Sequence, residues 1–578
     1  MMFKGNKRFI ITTLVLWVAC LSWAQGLYIG GHKAVRDVLY SKWLCSIPKE
    51  YFGSDWTAQL VFDSTCTRAT FNGVSIQNGA VVTFDSIAAG KEYSFSVLYQ
   101  GATQKGKIAF TWLPVMELNG SFGNEYAEGT ISLSEPDGTV NDEMRAKLKW
   151  RGGITNLPGK QKRNYSIKFL DENGEKMDRK FFDLRKDNHW KLDAGQVDLL
   201  RVRNRVCTDL WLDMSTKPWY AEYEPKAING SRGKTVELIL NKRYHGIYHL
   251  IEPVDRKQLK LMKHDTINNV FHGQLWYNKS WCRTGTMGRP VAWDNNSPKW
   301  DSIYVEYPDF EEVHPTDWST LANAVNFAYT ASSNHNIRAL EDSLGYYFDM
   351  PVMIDYFIFI VAIQALDNES KNIMYSCYDK TLDPRLLMTP WDLDVSVGAK
   401  LYSSWGDDQV SPERFITWIS HVPMYNMYFN SRYFTRKIKR RYWELRKTYL
   451  DTDSLINRFQ RVVDELEECG AAAREEKRWS KNIDIESRVL DISAEMEYVA
   501  DWIRRRMNYI DMNIFPPVAD IPGDVNDDGE VNISDISVLI DLLLSGHISE
   551  DIRPRADVNG DGEVNITDIS DIIDYLLS

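Results

Sequence analysis

The sequence predicts a three-part chain: a small β-sandwich, a larger α+β domain, and an all-α tail of paired loop-helix units. Three observations carry this. Short alternating apolar runs fill residues 25–112, strand-like runs give way to helical ones between 113 and 515, and residues 524–578 hold one twelve-residue loop twice. At 578 residues the chain is too long for a single core.

The first 24 residues read as an export signal. Lys4, Lys7 and Arg8 precede the apolar run Phe9 to Ala19, and Ser22-Trp23-Ala24 offers small residues for cleavage before Gln25. The run is too short for a membrane span. A lipid anchor would use Cys20, but Trp17 is a poor residue three positions before such a cysteine. The expected location is secreted or at the cell surface. A net charge of −12 and a pI near 5.5 argue against nucleic acid or an anionic membrane as partner. Cys45, Cys66, Cys207, Cys282, Cys377 and Cys469 remain in the mature chain without a CxxC pair, which disfavours zinc. A Cys45–Cys66 disulfide is expected in the small β-rich segment.

In 25–112, runs such as Ala58 to Phe62 and Tyr93 to Leu98 are separated by turns at Asn72-Gly73, Asn78-Gly79 and Ala89-Gly90. This reads as an antiparallel sandwich, immunoglobulin-like in kind. In 113–515, strands are expected at 146–150, 165–170, 235–240 and 247–252. Helices are expected at 318–331, 350–365, 433–450, 453–473 and 485–512. Phe515-Pro516-Pro517 stops the last helix, and 516–523 link it to the tail.

In the tail, Asp524, Asn526, Asp528, Glu530, Asn532 and Asp535 stand at loop positions 1, 3, 5, 7, 9 and 12. Asp557, Asn559, Asp561, Glu563, Asn565 and Asp568 repeat them 33 residues on, with glycine at position 6 of each loop. A hard cation with six to eight oxygen ligands needs that layout. Two calcium ions are expected. Position 12 is Asp where an ordinary EF-hand has Glu, and each loop runs into one apolar helix. Such paired loop-helix units resemble type I dockerin repeats, which implies docking to a cohesin-like domain. Ile533-Ser534 and Ile566-Thr567 occupy the positions that set cohesin choice in dockerins, so the resemblance leaves near-symmetric dual binding open beside a calcium clip packed on its own chain.

Inside 113–515 the sharpest constellation is Asp367-Asn368-Glu369-Ser370-Lys371-Asn372, followed by Thr389-Pro390-Trp391-Asp392-Leu393-Asp394. An Asp, an Asn five residues on, and a further Asp about 20 residues later is the spacing of protein kinases. There one carboxylate orients the hydroxyl while the others hold metal on anionic phosphates. Loop residues of these types also serve as plain turn formers. In order around it come Arg151-Gly152-Gly153, Lys162 to Phe169, Val202-Arg203-Asn204-Arg205 and Asn241 to Glu252. The ordered set resembles the CotH family of secreted, spore-coat-protein-H-like kinases over about 400 residues. The resemblance implies an atypical protein-kinase-like fold and transfer of the ATP γ-phosphoryl group to Ser or Thr of exported proteins, with Mg2+ or Mn2+. It makes Asp367 the catalytic Asp, Asn372 a metal-side partner and Asp392 the metal-binding Asp, with Asp394 able to exchange roles. Lys168 or Lys162 would meet phosphate oxygens. Glu252 would orient that lysine or meet the nucleotide, or be a salt-bridged strand-end residue. The family usually has Asn and Ser where Gly153 and its neighbour stand, so side-chain donors are lost there and backbone N–H groups remain.

Other chemistries find less support. The Gly159-Lys160 stretch has the wrong spacing for a P-loop and Gln161 replaces its Ser/Thr. His245 and His249 have no third ligand nearby, and no Gly-x-Ser-x-Gly elbow occurs. Two further readings stand beside the kinase: a non-catalytic adhesion or structural protein, and a component of a polysaccharide-degrading assembly suggested by the tail alone.

Overall fold

The computed structural model describes residues 26–63, 65–99, 101–400, 410–415, 423–480 and 489–578. The export segment with Cys20 lies outside them, as does the 485–488 start of the last expected helix. Two compact units are found, Met1–Trp112 with Ser134–Val140, and Leu113–Leu133 with Asn141–Ser578.

In the first unit nine strands form one sheet. Alternation sets its core: along Trp56–Phe62, Ala58, Leu60 and Phe62 are buried while Thr57, Gln59 and Val61 are exposed. Phe71 and Phe84 belong to strands near opposite ends of the sheet order, yet their ring centroids are 5.0 Å apart. The sheet therefore doubles over on itself, with Trp43, Phe95 and Phe110 between the layers. The Cys45–Cys66 disulfide is corrected. Strands Glu92–Tyr99 and Ala102–Thr111 lie between the two cysteine strands, a separation of roughly 14 Å where a disulfide needs Cα atoms within about 7 Å. Among the described residues none of the six cysteines forms a disulfide.

The second unit begins with a closed barrel of seven strands. Its members are Val115–Asn119, Ala127–Ser134, Val140–Arg151, Asn164–Phe169, His189–Asp193, Arg243–Ile251 and Gly233–Leu240, the last pairing in parallel with the first. Leu148, Ile167, Trp190 and Leu250 fill the interior with no exposed surface. The side chains between them in sequence therefore point outward. A five-stranded sheet follows, built on Gln274–Asn278, Ile373–Asp379 and Asp383–Pro390. Ile373–Asp379 is buried at every position, so it carries no alternation for a sequence reading to find. The helix Met350–Ile363 is apolar nearly all round and almost wholly buried. The helix expected over 453–473 is two, Thr452–Glu468 and Ala471–Trp479, broken at Cys469-Gly470. Two apolar helices close the chain, Ile533–Ser545 and Ile566–Leu577.

Candidate functional site

Register on the barrel builds a cationic outer face. Lys149 pairs with Ser166 and Ser166 with Lys191; one row on, Lys147 pairs with Lys168 and Lys168 with His189. Their inward neighbours Leu148, Ile167 and Trp190 are core, so the polar set shares the opposite side. Arg151 ends the same run. Gly152 turns the chain there at φ +100°, where a Cβ would also strike the Thr155 hydroxyl.

Trp391 seats against this face, its ring 4.4 Å from the Lys191 ammonium and 5.6 Å from the Arg151 guanidinium. The next residue, Asp392, takes φ +59°, which turns the chain sharply at the end of the Asp383–Pro390 strand. Burial raises the Asp392 carboxyl above its ordinary range against the pull of Arg151, and Asp193 and Asp367 add to the rise. Burial followed by Asp392, Asp193 and Asp367 raises Asp394 further. Four carboxylates thus lie in one field, facing the cations. Lys191 feels the reverse: burial and then Arg151 lower its ammonium to about 7.

The acidic loops are stitched together by amides. Asn368 Nδ2 donates to the carbonyls of Asn372 (3.1 Å) and Trp391 (2.9 Å), and Trp391 N donates to the Asn372 carbonyl. Asn204 joins them to the barrel, with Nδ2 donating to Asp193 Oδ2 at 2.6 Å and Oδ1 accepting from Leu393 N at 2.9 Å. Asp367 sits in the short turn after the buried helix and pairs with Lys371 at 2.6 Å. Asn372 Oδ1 accepts from the Tyr277 hydroxyl.

The residues expected at the phosphates separate. Lys168 belongs to the cationic face, 4.8 Å from the Tyr126 ring. Lys162 does not face the site, which corrects its expected phosphate contact. It is fully buried, donates to the carbonyls of Ala194 and Ile247 at 2.7 Å, and pairs with Glu475 at 3.0 Å. Glu252 orients neither lysine, a further correction. It accepts from Arg185 N, Arg232 and Gln258, and is the salt-bridged strand-end residue. His249 is held by the Arg201 carbonyl and Thr235, away from any metal role. Sequence reading missed Lys191 and Asp193, and took Arg151 only as the start of the Arg151-Gly152-Gly153 turn. The alternation His189-Trp190-Lys191-Leu192-Asp193 holds the signal, since a lysine between two core residues must face outward beside its strand neighbours.

These loops, with Lys149, Lys168 and Lys191 of the barrel face, fall within the span matched by the family model described as CotH kinase protein, residues 148–510, well over half of the chain. The chain belongs to the CotH family. A second model, described as Dockerin type I domain, matches residues 522–577. No curated protein matches the chain. The dockerin match implies calcium binding and a cohesin-type partner. Among the described residues no helix is long and apolar enough to cross a membrane.

Both dockerin loops are wired alike. Gly529 N donates to Asp524 Oδ2 (3.0 Å) and Gly562 N to Asp557 Oδ2 (2.9 Å), so position 1 closes on position 6. Asp535 accepts from the amides of Asn526 and Asn532, and Asp568 from those of Val558 and Asn565. Among the described residues no three His, Cys, Asp or Glu side chains stand ready as a metal cluster. The loops instead mix carboxylate, amide and main-chain oxygens, the donor chemistry of a hard cation. Asp524 Oδ1 is buried with no hydrogen-bond partner, an oxygen that calcium would satisfy.

Proposed function

We propose that this CotH protein is an exported protein kinase that transfers the ATP γ-phosphoryl group to Ser or Thr of secreted proteins, tethered by its dockerin module. The observation that carries the reading is the meeting of Lys191 and Arg151 with Asp392, Asp394, Asp193 and Asp367 across Trp391. Cations suited to phosphate oxygens face a carboxylate cluster in which burial and neighbouring carboxylates raise Asp392 and Asp394, a donor set that a divalent cation relieves.

Asp392, Asn372 and Asp394 would hold Mg2+ or Mn2+, which when bound neutralises phosphate charge. Lys191, Arg151 and Lys168 bind the phosphate oxygens, and the Gly152-Gly153 backbone lies beside them. Asp367, released from Lys371, orients the acceptor hydroxyl and takes its proton. The hydroxyl oxygen forms the new bond to the γ-phosphorus as the bond to the β-phosphate oxygen breaks, and ADP leaves. The dockerin loops bind two calcium ions through Asp524, Asn526, Asp528, Glu530, Asn532 and Asp535 and their second-repeat counterparts Asp557 to Asp568. A cohesin-like domain outside the cell is the docking partner.

The test is transfer from γ-labelled ATP with magnesium or manganese, beside Asp367→Asn and Asp392→Asn. Label on a protein acceptor that disappears in both variants supports the roles. No transfer and no ATP binding by calorimetry overturns the kinase reading. One observation favours a non-catalytic component of a surface or polysaccharide-degrading assembly: the Asp367 carboxylate is engaged by Lys371. Absence of nucleotide binding is the outcome that reading requires.

A further inference from the structure

The first calcium loop is packed against the CotH region. Arg432, Arg436 and Arg440 recur every four residues along the helix Arg432–Arg446 and so share one face. Arg436 Nη2 lies 2.6 Å from Asp527 Oδ1 and 3.2 Å from Asp524 Oδ2. Arg440 pairs with Asp527 and, at 2.7 Å, with Asp520. Arg555 closes on Asp527 at 3.3 Å. A Cβ on Gly529 would collide with the Arg432 guanidinium, so position 6 of this loop lies directly under the helix.

Asp527 stands at loop position 4, which supplies no ligand, but Asp524 is position 1. One of its oxygens is shared with Arg436 and Gly529 N, and the other is buried without a partner. The second loop meets an arginine only at a carbonyl, where Arg553 Nη1 donates to Gly562 O at 3.4 Å. Among the described residues no ion pair reaches Asp557, Asp561 or Asp568, and their carboxylates accept from loop amides. Two loops that match at every ligand position, but carry Asp527 against Gly560 at position 4, are thus placed in different electrostatic surroundings.

We propose that the two calcium sites are unequal, and that the arginine face makes the first loop the weaker site by tying its loading to the CotH region. The proposal rests on the calcium reading of the loops. A guanidinium within hydrogen-bond reach of a ligand carboxylate repels the incoming ion and draws on the same oxygen. Asp527 offsets much of the arginine charge, and the remainder lowers affinity by roughly 3- to 10-fold. The second loop, without such a neighbour, keeps the affinity its ligands set. The arginine face is thereby an internal docking surface whose occupant is the loop itself.

Calorimetric titration of the full mature chain with calcium, after chelation, tests this. Two classes of site are expected. Arg436→Gln should tighten the weaker class by roughly 3- to 10-fold and leave the stronger unchanged. Asp557→Ala should remove the stronger class and leave a single site that still responds to Arg436→Gln. Arg440→Gln, which loses pairs to Asp527 and Asp520 alone, should change the first site less, and circular dichroism checks that each variant is folded. Two indistinguishable sites, or a first site unchanged or weakened by Arg436→Gln, overturn the proposal. Absence of calcium binding by the unaltered chain overturns the calcium reading beneath it.

Discussion

Lys191→Met should both weaken ATP binding and remove most of its dependence on pH. The lysine ammonium, lowered to about 7 by burial and by Arg151, is half protonated at neutral pH in the free protein. If phosphate requires the protonated form, the apparent dissociation constant scales as one plus ten to the power of pH minus pKa. Affinity then falls about tenfold between about pH 6 and pH 8. Binding near neutral pH takes up about half a proton, visible as a heat that changes with buffer ionisation enthalpy. Losing one charge-assisted contact to phosphate costs about 1.5–3 kcal/mol, or roughly 10- to 150-fold in affinity near pH 6. The assay is calorimetry with a non-hydrolysable ATP analogue and magnesium at several pH values. A Lys191→Met protein that keeps both the affinity and the pH slope would refute the placement of phosphate on the barrel's outer face.

Two further outcomes concern the scaffold. Glu475→Ala strips the buried partner from both Lys162 (3.0 Å) and Arg201 (2.7 Å) and an acceptor from Ile247 N. A loss of about 3–5 kcal/mol in urea unfolding is expected, and a loss under about 1 kcal/mol would mean those cations find other compensation. His189 and His245 are lowered by burial to about 3. Between about 3 and their unfolded value near 6.5 the unfolded chain binds more protons, so stability rises with pH through that window and is lost as pH falls. Melting temperature should drop on going from about pH 7 to pH 5, and His245→Asn should flatten that drop. A slope unchanged in that variant assigns the acid sensitivity to other groups.

Legibility differed from region to region for physical reasons. Barrel strands could be placed from apolar and polar residues in alternation, which in the fold becomes filled interior against outer face, as at Ala146 to Lys149. The Ile373–Asp379 strand was expected only as an apolar run between Asn372 and Thr389, without bounds, since burial on both faces erases alternation. The Asp367, Asn372 and Asp392 loops were recognisable from local spacing, and chain folding does bring them together through Asn368. The phosphate-facing lysine was the harder part. Lys162 and Lys168 sit in the same stretch and share a parity, but Lys162 lies in the bend before the strand Asn164–Phe169 and is buried against Glu475, while Lys168 stands on the outer face. Lys191 lies outside the family-like segments and becomes visible as a candidate only when its strand pairs with Ser166. The disulfide expectation failed because closeness in sequence says nothing of how many strands intervene in a sheet.

In each calcium loop the position-9 asparagine also caps the following helix, and the position-12 aspartate is the third residue of that helix, bonding back to the cap. Under the proposed ligand set, ion ligation and helix initiation draw on the same two side chains. Winding of Ile533–Ser545 and Ile566–Leu577 is then a readout of metal occupancy, and chelation would unravel each helix from its first turn. Amide exchange at Ser534 and Thr567, whose N–H groups donate to the capping asparagines, would report each site's emptying separately. The module's exposed apolar side chains at Ile533 and Ile566 ride on those same first turns, so a docking partner would find its footing only where calcium is already in place.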